Sequence, residues 1–186
     1  MVIPLEQCIA RPREGGREYP LTSHLIDVAE RSGNPQGDPF EQLQFLAGLL
    51  HDAGKAQTSW QRYIEVPDHR RGSVPHAFLG AALFFVFALR LRNEYRQLCA
   101  HNAELLDGAI LQLTADLADH HGDLKDLDEA APPWEAGWRP GCLEETDLAG
   151  LLRFVREHFP PVEAGAIVSP EDIPELIRQA RMQWRR

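Results

Sequence analysis

Apolar residues in this chain recur mostly at spacings of three and four, the pattern of helices that bury one face. The spacing predicts a first helix over residues 21–31, capped by Thr22 or Ser23 and broken by the turn-forming run Gly33-Asn34-Pro35-Gln36-Gly37. A second helix runs over 40–51, gathers Leu43, Phe45, Leu46, Leu49 and Leu50 on one face, and takes Gly54 as its stop. Residues 57–65 predict a short helix with Trp60, Tyr63 and Ile64 turned inward, followed by a polar loop through Asp68, Arg70, Arg71 and Gly72. The next helix, from 76 to about 92 with Pro75 at its first position, is apolar nearly all round and is expected to run through the centre of the fold. A fifth carries Leu105, Leu106, Ala109, Ile110, Leu113 and Leu117 and reaches His120 and His121 before Gly122. Further on, Pro132-Pro133, Pro140-Gly141, Pro160-Pro161 and Pro170 cut the chain into short pieces, with helices expected over 144–158 and 170–184. No run alternates in a manner that requires a strand, so the expected class is all-α.

A length of 186 residues favours one domain over 1–186, with a core over about 20–127 and a less regular remainder over 128–186. Hydrophobic residues at 44% and charged residues at 25% describe a globular chain and exclude a disordered or fibrous one. The longest apolar run, residues 77–91, is too short to span a bilayer, which argues for a buried helix and no membrane partner. Glu6, Arg11, Arg13 and Glu14 break up any secretion signal, and a cytoplasmic location is expected. Cys8, Cys99 and Cys142 are odd in number and widely spaced, which suggests neither a disulfide framework nor a thiolate zinc site. A net charge of −9 argues against a broad basic surface that grips nucleic acid, so any such contact must be local, metal-assisted or supplied by a partner.

The stretch Leu49-Leu50-His51-Asp52-Ala53-Gly54-Lys55 ends an apolar helix in an imidazole, a carboxylate, a glycine and an ammonium. A carboxylate can bridge two cations through its two oxygens while each imidazole nitrogen binds one, so Asp52 is the natural bridge. His24, His51, His76, His120 and His121 all lie beside expected helix ends. Five imidazoles favour manganese, iron, nickel, cobalt or zinc over magnesium. Two such ions about 3.5–4 Å apart acidify a bridging water and brace a phosphodiester displacement. Lys55 either offsets charge on the phosphate or complements the dipole of the preceding helix. Asp52 and Lys55 are thus the expected catalytic pair.

His24, the His51-Asp52 pair with Gly54-Lys55, the run Ser59-Trp60-Gln61-Arg62-Tyr63-Ile64, the run His76-Ala77-Phe78-Leu79-Gly80-Ala81 and the run Asp119-His120-His121-Gly122-Asp123-Leu124 follow one another in order. Together they resemble the HD nuclease domain of the CRISPR type I interference nuclease-helicase, over residues 21 to about 127. The resemblance implies an HD-domain helical bundle with a metal site at helix ends. It also implies cleavage of single-stranded DNA exposed by a guide-RNA surveillance complex, with a superfamily-2 helicase on the same chain or a separate one. By that likeness His24, His51 and Asp52 serve one metal ion, and His76, His120 and His121 serve a second with Asp52 shared.

The family's pattern closes with a further Asp on a late apolar helix, and nothing after His121 matches it. Asp147 and Asp172 both sit in contexts typical of helix N-termini. The expectation is that the chain stops at Arg186 before that helix; without the ligand the first metal would bind weakly. Two other functions compete: an HD phosphohydrolase acting on nucleotides or cyclic nucleotides, and a catalytically idle module that docks a helicase or surveillance complex. His69, His101 and His158 read as solvated surface residues, Trp60 and Tyr63 as core rather than base-stacking platforms, and Arg62, Arg70 and Arg71 as phosphate contacts or a solvated loop.

Overall fold

The computed structural model of the chain describes residues 1–66, 74–120, 132–135, 138–139, 141–161 and 168–184. Among them the chain is all-α. Its helices are α1 (Leu21–Ser32), α2 (Pro39–Leu50), α3 (Thr58–Glu65), α4 (Ala77–Leu98), α5 (Ala103–Asp119), α6 (Leu148–His158) and α7 (Ile173–Trp184). Short 3₁₀ turns at Leu5–Gln7, Ala53–Ala56, Ala100–Asn102 and Pro170–Asp172 join or precede them. No described helix is long and apolar enough to cross a membrane.

The helix ends differ from the sequence expectation in instructive ways. α1 has no side-chain cap, because Thr22 and Ser23 lie inside its first turn. Pro20 sets the entering backbone, and the Leu21 N–H donates to the distant Cys8 carbonyl at 2.8 Å, so a tertiary contact does the work of a cap. α2 starts with Pro39 and carries a reciprocal cap, since Asp38 accepts from the amides of Phe40 and Glu41 while Glu41 accepts from the Asp38 amide. Pro75 lies outside α4, for which His76 is the N-cap. α4 runs on to Leu98, beyond the expected end, because Arg92 forms a bidentate pair with Asp107 of α5 at 2.7 Å and Tyr95 reaches Gln42 of α2. α6 starts at Leu148 rather than near 144, since Asp147 caps it by accepting from the Gly150 amide.

α4 carries the core. It is buried on nearly every side from Ala77 to Ala88, and it packs against α2, α5, α7 and the turn Ala53–Ala56. Phe84 and Phe87 are fully buried on it, and each such side chain stabilises the fold by about 1.5–3 kcal/mol relative to exposure. The same cluster continues through Leu151, Phe154, Phe159, Ile173 and Ile177, so α6 and α7 share the core rather than trailing from it. His158 is half-buried with its ring 4.7 Å from that of Phe154, a packing role that its polar neighbours in sequence concealed.

Residues 1–20 carry no helical spacing that predicted an element. They form a turn-back in which Ile9 pairs with Pro20 and Glu14 with Arg17, closed by Gly15 and Gly16 at φ of 57° and 77°, where glycine is unstrained. Gly108, exposed in α5, has open space where a Cβ would stand. Gly108→Ala is expected to stabilise the protein by about 0.5–1 kcal/mol, read as a higher urea midpoint with unchanged slope.

Candidate metal centre

Four helix ends supply the candidate ligands. His24 is in the first turn of α1, His51 directly follows α2, His76 precedes α4 and His120 directly follows α5. After His51 the backbone leaves helical geometry at Asp52 (φ −110°, ψ 17°). Two glycines let these ends meet. A Cβ on Gly54 would lie 1.9 Å from the His76 carbonyl oxygen, and one on Gly80 would lie 2.1 Å from the Leu50 carbonyl oxygen. The expected role of Gly54 as a helix stop is therefore corrected: its φ is not positive, and its missing side chain instead admits the start of α4.

Asp52 is buried at the meeting point and its two oxygens face different imidazoles. Oδ2 lies 2.9 Å from His24 Nε2 and 3.2 Å from His51 Nε2, while Oδ1 lies 3.3 Å from both His76 Nε2 and His120 Nε2. His24, His51 and Asp52 form one group able to hold a metal ion, and Asp52, His76 and His120 form another.

The backbone fixes what two of the rings present. His51 Nδ1 is 2.7 Å from the Gly48 carbonyl and His120 Nδ1 is 2.6 Å from the Leu117 carbonyl, in each case three residues back in the last helical turn. A carbonyl only accepts, so Nδ1 carries the hydrogen and the neutral ring turns the lone pair of Nε2 toward Asp52. Two lone pairs facing a carboxylate repel it unless a cation stands between, and His51 Nε2 is also only 3.2 Å from His24 Nε2. This donor set fits a metal cation and does not fit a neutral hydrogen-bond network. Burial alone would raise the Asp52 pKa, but interactions with His120, His24, His51 and His76 outweigh it and hold the carboxyl far below the usual carboxylate range. The His51 and His120 rings favour the ionised carboxylate only when they carry a second proton or hold a cation against it.

Lys55 comes from the turn Ala53–Ala56, and its Nζ lies 2.7 Å from Asp52 Oδ2 and 5.3 Å from the Trp60 ring centre. Its ammonium thus meets the carboxylate rather than the carbonyls that end α2. Trp60 is buried with Ile9 and Ile64, its ring edge-on to His76 at 5.6 Å, and Tyr63 is half-buried beside them. Two residues that the sequence left without a role brace the same turn. Gln57 donates to the Gly54 carbonyl at 2.8 Å, and Gln61 donates to the carbonyls of Lys55 and Ile9 at 2.8 and 2.9 Å. The available signal was a pair of amides four residues apart, one just before and one within a short helix whose neighbouring face is apolar.

The other candidates fall elsewhere. His121, His69, Arg70 and Arg71 lie outside the described residues. Asp147 caps α6 and accepts from the Leu5 amide, and Asp172 is tied to Ser169, so neither belongs to the cluster. His101 is exposed. The three cysteines are free, and burial pushes the Cys8 thiol up to about 12 and that of Cys142 up to about 11, which leaves both unreactive. No protein-family model matches the chain, and no curated protein or solved structure shows significant similarity to it.

Proposed function

We propose that this chain is a metal-dependent phosphodiesterase domain of the HD superfamily that cleaves single-stranded DNA, with Asp52 bridging two divalent transition-metal ions. The observation that carries this reading is the division of four imidazoles, two to each oxygen of one buried carboxylate. Each pair plus the shared carboxylate makes a three-ligand set, and imidazole-rich sets suit manganese, iron, nickel or cobalt better than magnesium. When bound, such a pair of ions acidifies water and offsets the charge of the phosphodiester. The chain does the rest. Backbone carbonyls of Gly48 and Leu117 hold the His51 and His120 rings in the ligating tautomer, and Asp52 keeps its negative charge at any ordinary pH. Lys55 adds a positive charge beside Asp52 for a phosphate oxygen arriving there. The ordered run of motifs that resembles the CRISPR type I HD nuclease supports DNA as the substrate, delivered by a superfamily-2 helicase from a guide-RNA surveillance complex.

The test is incubation with Mn²⁺ and circular single-stranded DNA, in parallel with a panel of nucleotides and cyclic nucleotides. Nicking of the circle with no turnover of the panel is expected. Turnover of the panel alone would assign a small-molecule phosphohydrolase, and a protein that holds no metal and cleaves neither would be a docking module. His24→Ala and His76→Ala, analysed for metal content, are each expected to halve the bound metal. Loss of all metal from either variant would count against two separable ion sites.

A further inference from the structure

The open side of the cluster lies at His24. Its side chain is 35% exposed, against 15% for His51 and His76, 20% for His120 and 4% for Asp52. His24 is four residues past Pro20, where the N-terminal turn-back ends, so that turn-back stands next to the opening. Its outgoing limb is fixed along α3 at two points. Ile9 exchanges hydrogen bonds with Gln61 at 3.0 and 2.9 Å, and Arg13 reaches Glu65 at 3.4 Å. Arg11 falls between those anchors in the chain and is exposed.

Arg11 and Arg13 are held differently. Arg13 is neutralised by Glu18 at 2.7 Å and by Glu65. Arg11 is exposed, has no carboxylate partner among the described residues, and lies with its guanidinium carbon 3.3 Å above the centre of the Tyr19 ring. Stacking occupies the face of the guanidinium and leaves its edge of N–H donors turned to solvent. In a chain of net charge −9, an exposed cation without a carboxylate partner, on a turn-back that runs into the helix bearing His24, is where a polyanion gains most.

We propose that the Arg11–Tyr19 pair is a docking point for the phosphate backbone of single-stranded DNA on its way to the opening at His24. This rests on the phosphodiesterase reading but is measured apart from it, by fluorescence anisotropy of a labelled oligothymidylate in EDTA, where no cleavage occurs. Arg11→Gln is expected to weaken binding about tenfold at low salt and to reduce the slope of log affinity against log salt by about 0.7, one single-strand phosphate contact. Arg11→Lys is expected to restore the slope, since it returns the charge, and Arg178→Gln on the remote α7 to leave binding unchanged. Thermal melting of each variant reports on folding. An unaltered salt slope in folded Arg11→Gln, absence of binding by the parent protein, or an equal loss in Arg178→Gln would overturn the proposal. Cleavage of circular DNA that is indifferent to Arg11 would sink this inference alone, whereas Arg11-dependent binding without cleavage would sink the nuclease reading alone.

Discussion

Asp52→Asn is expected to abolish metal uptake and reduce single-strand cleavage by at least about 1,000-fold, while leaving the metal-free fold within about 1 kcal/mol of the parent. The asymmetry follows from what surrounds the carboxylate. The amide keeps the shape, its oxygen in the Oδ2 place still accepts from Lys55, and its NH₂ in the Oδ1 place can donate to the Nε2 lone pair of His120. Asp52→Ala, by contrast, strands the largely buried Lys55 ammonium and is expected to cost about 3 kcal/mol or more. Metal analysis of the purified proteins and melting with and without Mn²⁺ would check this. A metal-dependent rise in melting temperature that survives in Asp52→Asn would refute the bridge.

The same pair of proteins carries a pH signature. The folded-state pKa of Asp52 lies below its unfolded value, so its contribution to stability is complete above the unfolded value of about 4 and fades as pH falls toward the folded one. In EDTA the parent is therefore expected to lose stability more steeply than Asp52→Asn between about pH 4 and pH 2.5, as read from urea midpoints.

Gly54→Ala is the second large effect. The new Cβ would meet the His76 carbonyl oxygen at 1.9 Å and its carbon at 2.7 Å, and both are backbone atoms that cannot rotate away. Either the turn Ala53–Ala56 or the start of α4 must shift, at a cost of about 1–3 kcal/mol. That shift moves Asp52 relative to His76, and a displacement of that size is expected to lower cleavage on the order of 100-fold. Gly108→Ala, the same change in open space, should move stability the other way. Calorimetric melting together with metal stoichiometry checks the prediction, and a Gly54→Ala protein with parental melting and full metal content would show that the close approach does not matter.

Much of the helical framework was legible because it is local. The three-and-four spacing located each of α1 to α5, and the all-round apolar character of α4 marked it as the central helix. The end positions were less legible where distant residues set them. Thr22 and Ser23 have the chemistry of caps, yet the Cys8 carbonyl takes the first amide of α1; nothing near Arg92 announces that Asp107 will hold six more residues of α4 in helical form. The hairpin-like turn over 9–20 was missed because it is held by two isolated bridges and by Gln61 rather than by an alternating strand pattern.

For the candidate site, the kinds of donor and their seats could be read along the chain: imidazoles beside helix ends and one carboxylate after an apolar helix, because periodicity and end signals are carried by neighbouring residues. It took the packed helices to show that four of those imidazoles share Asp52, two to each oxygen, that main-chain carbonyls set the tautomers of His51 and His120, and that Gly54 and Gly80 let backbones touch. Those features depend on how helices cross, and crossing is fixed by contacts between residues far apart in the chain, which no local pattern records.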